Sequence, residues 1–314
     1  MQTIRRASIE DAQAAMAFVQ SQLTYVETAV NAAVYTDIQY PSLVPVDTSA
    51  NPFAQSVTYY SSDQFGRAKW INGNSDDIPL AGTELTATRT NVYTAAIGYG
   101  YGWEEVNVAM LLGYPLQTED ASAARRAYEE MMERIAIQGD AEKNFKGLIN
   151  YPTVPIQAAP TGNWPVATGD LIAADINAIL LGVATATAYT SISNTLLLPV
   201  DRYALIGTKM MNTTTNSDTV LSHVLRTNVY TLTTGQPLLI RGALGLDTAG
   251  ATGTLHRMVA YRRAPEVLKL HVPMPHRFLP VYQDGPLNWK VPGVFRTGGL
   301  DIRRPLEVRY MDNI

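Results

Sequence analysis

Tyr261-Arg262-Arg263-Ala264-Pro265-Glu266-Val267-Leu268, running on through His271-Val272-Pro273-Met274-Pro275-His276-Arg277, is β-like sequence punctuated by proline. Proline donates no ladder hydrogen bond, so the pattern predicts several short strands in place of one long element. The same texture continues through Phe295-Arg296-Thr297-Gly298-Gly299 and Ile302-Arg303-Arg304-Pro305. Neighbouring strand residues face opposite ways, so Arg262 and Arg263, like Arg303 and Arg304, point one inward and one outward. Such arginines suit ion pairs between subunits or contact with nucleic acid, because guanidinium meets carboxylate and phosphate in bidentate geometry.

The charge of this end contrasts with the rest. Residues 256–314 hold 10 Lys/Arg and 5 Asp/Glu, a net of +5. The first 255 hold 14 and 23, a net of -9, giving -4 for the 314-residue chain. A basic end on an acidic body suits attraction to a neighbour or to nucleic acid.

Upstream, residues 8–28 predict an amphipathic helix, with Ser8 as cap and Ile9, Ala12, Met16, Val19, Leu23 and Val26 at helical spacing. Pro41, Pro45 and Pro52 make residues 36–56 an extended arm that should lie on something else. Residues 56–95 read as a hairpin: Val57, Tyr59 and Tyr60 begin a strand, Ala68 to Ile71 continues it, Asn72-Gly73-Asn74 is a turn signal, and Leu85 to Tyr93 alternates. With few large aliphatic residues it has no core of its own, so it should project and pack on a neighbour.

Gly98-Tyr99-Gly100-Tyr101-Gly102-Trp103 alternates glycine with aromatics, and a short helix follows to Leu112. The longest helix spans about 118–138, capped by Thr118, with Ala121, Ala124, Tyr128, Met131 and Ile135 inward, a Glu130–Arg134 pair and Gly139 as terminator. A second helix starts at Asp170 and runs to about Tyr189, burying Ile172, Ile176, Ile179, Leu180 and Val183. Leu196 to Ile206 predicts a strand, Ser217 to Thr227 a third helix, and Pro237 to Leu246 a further strand.

Composition excludes several chemistries. With no cysteine there is no disulfide, Cys-ligated zinc or thiol nucleophile. No run reaches the ~20 apolar residues of a membrane span, and no apolar h-region or signal cleavage pattern follows Arg5 and Arg6. The Gly98/Gly100/Gly102 run misses the dinucleotide fingerprint, since Trp103 stands where the third glycine belongs. His271 and His276 match no metal spacing, no nucleophile elbow occurs, and the histidines read as satisfied structural residues. No cofactor and no enzymatic activity are expected. Only 17% of residues are charged, 18 of 24 cations are Arg, and there are 17 Tyr and 10 Met. Interfaces are depleted in Lys and Glu and enriched in Tyr, Met and Arg, so much of this surface should be covered by copies of the chain.

The order of elements resembles the major capsid proteins of tailed bacteriophages, the α+β Hong-Kong-97-type capsid fold. Carrying the resemblance are Thr58-Tyr59-Tyr60, Gly66-Arg67-Ala68-Lys69, Asp76-Asp77-Ile78-Pro79, Ala123-Ala124-Arg125-Arg126-Ala127, Gly139-Asp140 with Lys146-Gly147-Leu148-Ile149, and above all the C-terminal stretch. It implies an N-terminal arm over 1–53, an E-loop over 54–95, a P-domain over 96–150 and 257–314 with a spine helix, and an A-domain over 151–256. It implies hexamers and pentamers enclosing double-stranded DNA in a virion assembled in the host cytoplasm. Portal, scaffolding and decoration proteins would be further partners, with no membrane. An encapsulin-type compartment holding enzyme cargo is the alternative on the same fold. Expected inter-subunit contacts are Tyr59, Tyr60, Phe65, Arg67, Lys69, Trp70, Asp76, Asp77, Arg262, Arg263, Arg303 and Arg304. The chain starts with the arm, so scaffolding is expected to be separate or absent. Lys69 has no recognisable Asn partner, so covalent cross-linking is not expected.

Overall fold

The computed structural model describes residues 37–70, 73, 78–112, 116–212, 216–251, 253 and 255–314. The expected helix over 8–28, the turn residues Asn72 and Asn74, and Asp76 and Asp77 lie outside the described residues. Among the described residues, the order of elements begins with one helical turn, α1 (Tyr40–Leu43), and a short strand, β1 (Val46–Asp47). The hairpin strands β2 (Ser56–Phe65) and β3 (Gly82–Asn91) precede β4 (Tyr93–Ala96) and β5 (Tyr99–Gly102). Helices α2 (Trp103–Leu112) and α3 (Leu116–Ile137) lead to β6 (Gly139–Asp140), β7 (Phe145–Lys146) and β8 (Ile156–Ala158). Then come α4 (Gly169–Ala186), β9 (Thr195–Pro199), α5 (Val200–Thr208), β10 (Met210–Asn212), β11 (Asn216–Thr219), α6 (Val220–Thr227), α7 (Val229–Thr234) and β12 (Leu239–Ala243). The C-terminal stretch supplies β13 (Arg257–Tyr261), β14 (Leu268–His271), β15 (Met274–Phe278), β16 (Tyr282–Gln283), β17 (Asn288–Val291), β18 (Gly293–Thr297), β19 (Gly299–Ile302), a 3-10 turn (Pro305–Glu307) and β20 (Val308–Asp312).

The organising element is a five-stranded mixed sheet in the order β12-β9-β13-β20-β8. Strands β9 and β13 are buried at every position. Both faces are covered, which is why they read as continuous apolar runs with no alternation. Successive side chains enter two different cores. Leu197, Val259, Tyr261 and Tyr310 join Tyr128, Met132 and Ile135 of α3. Leu196, Leu198, Met258, Ala260 and Met311 join Ile172, Ile176, Ile179 and Leu180 of α4. The sheet thus lies between the two long helices. Three smaller three-stranded sheets, β1-β14-β19, β15-β18-β4 and β16-β17-β5, complete the C-terminal stretch as short strands divided by its prolines.

Helix α3 covers most of the expected span but begins at Leu116, so Thr118 sits inside its first turn and is not the cap; its buried stripe includes Met132 and Ala136, and Ala121 is only half-buried. Glu130 pairs with Arg126 at 2.8 Å, not with Arg134. Helix α4 starts at Gly169 with Thr168 as N-cap, so Asp170 sits inside the first turn and is not the cap. At 18 residues and a mean hydropathy of 1.5 it is long and apolar enough to cross a membrane by length and composition. Its buried face, however, packs in the second core, where buried Asp175 accepts from Trp164 Nε1 at 2.9 Å. The expected strand over 196–206 ends at Pro199, and residues 200–208 are helical. Proline at the junction cannot extend the ladder, and its fixed φ suits the entry to a helix. Residues 216–219 form a strand before α6, whose N-cap Thr219 accepts from Ser222 N–H. Strand β2 stops at Phe65, so Ala68 to Trp70 is not strand.

The arm also differs from expectation. Residues 40–43 form a helical turn where extended chain was expected, and Tyr40, Leu43 and Val44 belong to the first core of their own chain. Glu133 of α3 accepts from the N–H groups of Gln39 and Tyr40 at 3.0 and 2.7 Å. Glu129, one turn earlier, accepts from Tyr40 Oη at 2.8 Å. Tyr40→Phe leaves that half-buried carboxylate without its donor and should cost about 1.5 kcal/mol, read as a lower denaturant midpoint.

Gly98 and Gly100 have a packing reason. A Cβ on Gly98 would stand 2.3 Å from the Val291 carbonyl oxygen, and one on Gly100 3.0 Å from that of Trp289. Without these Cβ atoms β17 and the residue after it can run close alongside β5 in the same sheet, while Tyr99 stacks edge-on against Tyr101 and Phe278.

Candidate inter-subunit surface

Strands β2 and β3 pair without interruption from Ser56↔Asn91 to Phe65↔Gly82. Neither strand contributes a residue to either core. Two strands alone are marginal in water, because there is no second layer to bury a face. This hairpin nevertheless leaves Tyr60 66%, Phe65 61% and Leu85 63% exposed. Beyond the strands Trp70 is fully exposed, and Arg67 and Lys69 are exposed too. Tyr59 differs: it is half-buried, with the Arg303 guanidinium 4.6 Å from its ring centroid, which ties the hairpin root to the residue that follows β19.

The C-terminal arginines are bonded within their own chain. Arg262 reaches Glu307 at 2.5 Å and Glu266 at 3.1 Å. Arg263 is exposed, and its guanidinium donates to the Pro41 carbonyl at 3.0 Å. Arg303 pairs with Asp301 at 3.3 Å, and exposed Arg304 with Glu307 at 3.2 Å. Lys269 pairs with Asp47 at 3.1 Å. Arg262, Arg303, Arg304 and Lys269 therefore meet carboxylates inside the subunit, only Lys269 reaching one outside this segment, and only Arg263 and Arg304 of the two doublets stand at the surface.

Glu307 is the hub of this cluster. Burial alone would raise its carboxyl, but hydrogen bonds from Arg262, Ser191 and Arg304 outweigh it and hold the group below its ordinary value. Burial and the hydrogen bonds from Ser49 and Lys269 act in the same opposed way on Asp47, which also ends up lowered. A carboxyl lowered on folding stabilises fully above its unfolded pKa of about 4.3 and loses that contribution as pH falls through the folded value. Stability should thus hold from neutral pH to about pH 4.5 and decline below it. In acid titrations followed by circular dichroism, Glu307→Gln should start less stable and show a smaller acid loss.

Sequence reasoning missed a buried pair. Arg257 grips Asp312 through two bonds of 2.6 and 2.8 Å, donates to the Ile149 carbonyl at 2.7 Å, and lies 4.6 Å from the Tyr310 ring centroid. The available signal is a charge opening an otherwise apolar strand, Arg257-Met258-Val259-Ala260-Tyr261. His271 corrects another expectation. It is buried, yet neither ring nitrogen has a hydrogen-bond partner, and the carboxylates of Asp47 and Asp301 stand 3.8 and 3.7 Å away. Those carboxylates are held instead by Lys269 and Arg303. His276 stacks on Tyr128, and His256 meets Asp201 at 3.0 Å. Among the described residues, no group of three His, Asp or Glu could hold a metal ion.

Comparison with protein families matches residues 66–314 to the family described as Major capsid protein. Among solved structures, the capsid of Myoviridae phage XM1 superposes with a TM-score of 0.79 at 16% identity, covering 94% of this chain and 98% of the other. The capsid of an empty GTA particle gives 0.61 at 11% identity over 94% and 97%. Mycobacterium phage Ogopogo gives 0.59 at 10% over 94% and 99%. The fold is the Hong-Kong-97-type α+β fold shared with these capsids. The comparison with curated proteins found no match.

Proposed function

Because the chain belongs to the major capsid protein family, as a structural subunit that assembles with itself into a virion shell, we propose that it forms hexamers and pentamers enclosing double-stranded DNA in a tailed bacteriophage. The observation that carries this reading is the ten-pair hairpin, apolar at Tyr60, Phe65 and Leu85 and outside both cores. Such a hairpin gains burial only against another copy. On this reading 54–95 is the E-loop seated on an adjacent subunit, 1–53 the N-terminal arm, 96–150 with 257–314 the P-domain, and 151–256 the A-domain. The last two share the central sheet, since β13 and β20 pair with β9 and β8. Tyr60, Phe65, Arg67, Lys69 and Trp70, with Arg263 and Arg304, are the candidate contacts, and portal, scaffolding and decoration proteins the further partners. Assembly would take place in the host cytoplasm. Particles purified from infected cells and treated with nuclease test the contents. Absorbance at 260 nm exceeding that at 280 nm supports a packaged genome, and a protein-like ratio with an enzyme inside contradicts it.

A further inference from the structure

A groove of about 280 Å³ lies at the root of the hairpin, between the end of β3, the turn Lys143–Lys146 and β19. Arg89, Lys143 and Lys146 line it. None of the three makes an ion pair among the described residues; Lys143 only overlies the Tyr93 ring at 5.6 Å. Two of the chain's six lysines are thus placed together. The one carboxylate in the lining, Asp301, is buried and held by Arg303.

The other end of the same hairpin shows the opposite fault. Asp63 and Glu84 are direct cross-strand partners, and both are exposed. Directly opposed residues share a face, so two carboxylates here repel each other. Their own basic groove is out of reach. Asp63 lies five residues beyond Thr58, the partner of Arg89, about 17 Å along an unbroken ladder.

We propose that the basic groove at the hairpin root receives the acidic distal half of a neighbouring copy's hairpin, with Asp63 and Glu84 facing Arg89, Lys143 and Lys146. This rests on the shell reading above and adds the partner of one surface. Charge complementarity selects the occupant: among the described residues, a cationic groove without an ion pair and two opposed carboxylates stand at the two ends of one hairpin. Each copy offers both ends, so the contact is head-to-tail and can close into a ring.

The absence of native cysteine makes the test clean. Shells are assembled from the Glu84→Cys/Lys143→Cys chain, oxidised, and run on a non-reducing denaturing gel. A ladder of covalent multimers, absent from each single variant, is expected. Normal shells that yield only the 34.3 kDa band overturn the contact. Independently, Lys143→Glu/Lys146→Glu should raise the concentration needed for assembly about tenfold or more. Adding Asp63→Lys/Glu84→Lys should bring it back to within about threefold of the unmodified chain. Unchanged assembly of the root variant overturns the proposal. So does intact assembly with lost DNA retention, which would assign the groove to phosphate. Failure of the unmodified chain to form shells overturns the shell reading, and this contact with it.

Discussion

Removing residues 61–86 and closing the hairpin with Asn-Gly between Tyr60 and Ala87 should leave a folded, soluble subunit that no longer forms shells. Tyr60 and Ala87 are cross-strand partners, so the closure keeps the register and the Tyr59–Arg303 contact. A two-residue Asn-Gly link suits the twist of paired strands. Neither core loses a residue, so the melting temperature should move by no more than about 4 °C, the shift that roughly 1 kcal/mol produces in a domain of this size. Assembly, by contrast, should be abolished, because exposed Phe65 and Leu85 are lost and Tyr60 is left without its surroundings. Electron micrographs of the truncated chain decide it. Normal shells would show that the hairpin is dispensable.

Breaking the Arg257–Asp312 pair should be the most damaging single substitution. Both side chains are buried, and Asp312 also accepts from Ala251 N–H at 2.9 Å. Arg257→Ala leaves a buried carboxylate, and Asp312→Ala a buried guanidinium. Either should cost about 3–5 kcal/mol, because the surviving charge keeps its desolvation penalty and loses its partner. The double change Arg257→Met/Asp312→Leu should cost less than either single one, since no uncompensated charge remains. Guanidinium unfolding midpoints of the three variants give the order directly. Singles within about 1 kcal/mol of the parent would mean that water or a rearranged partner relieves the buried charge.

Local patterns made much of the fold readable. Glycine and aromatic residues alternating over 98–103 mark β5, and the isoleucines at 172, 176 and 179 mark the buried face of α4. The prolines of the C-terminal stretch mark its division into short strands. What escaped depends on partners distant in sequence. Residues 200–208 look strand-like beside the apolar run 196–198, and only the end of the sheet at Pro199 frees them to coil. Arg257 resembles a surface cation until β20 places Asp312 opposite it, 55 residues away. Arg262 looked suited to a neighbour because its partner, Glu307, lies 45 residues further along the same chain. The arm illustrates the same limit: Pro41 argues against a long helix, yet nothing local says that Glu129 and Glu133 will hold its first turn. For the candidate surface, a hairpin with few aliphatic residues was legible. The positions of its cations and carboxylates needed the register.

The central claim is that the subunit is completed by its neighbours through the hairpin. A cryo-electron reconstruction of shells assembled from the full chain tests it most directly. Density for residues 56–91 should extend away from its own subunit and rest on the adjacent one, within rings of five and six copies. A shell in which that density folds back over its own chain, or hangs without contact, would contradict the account.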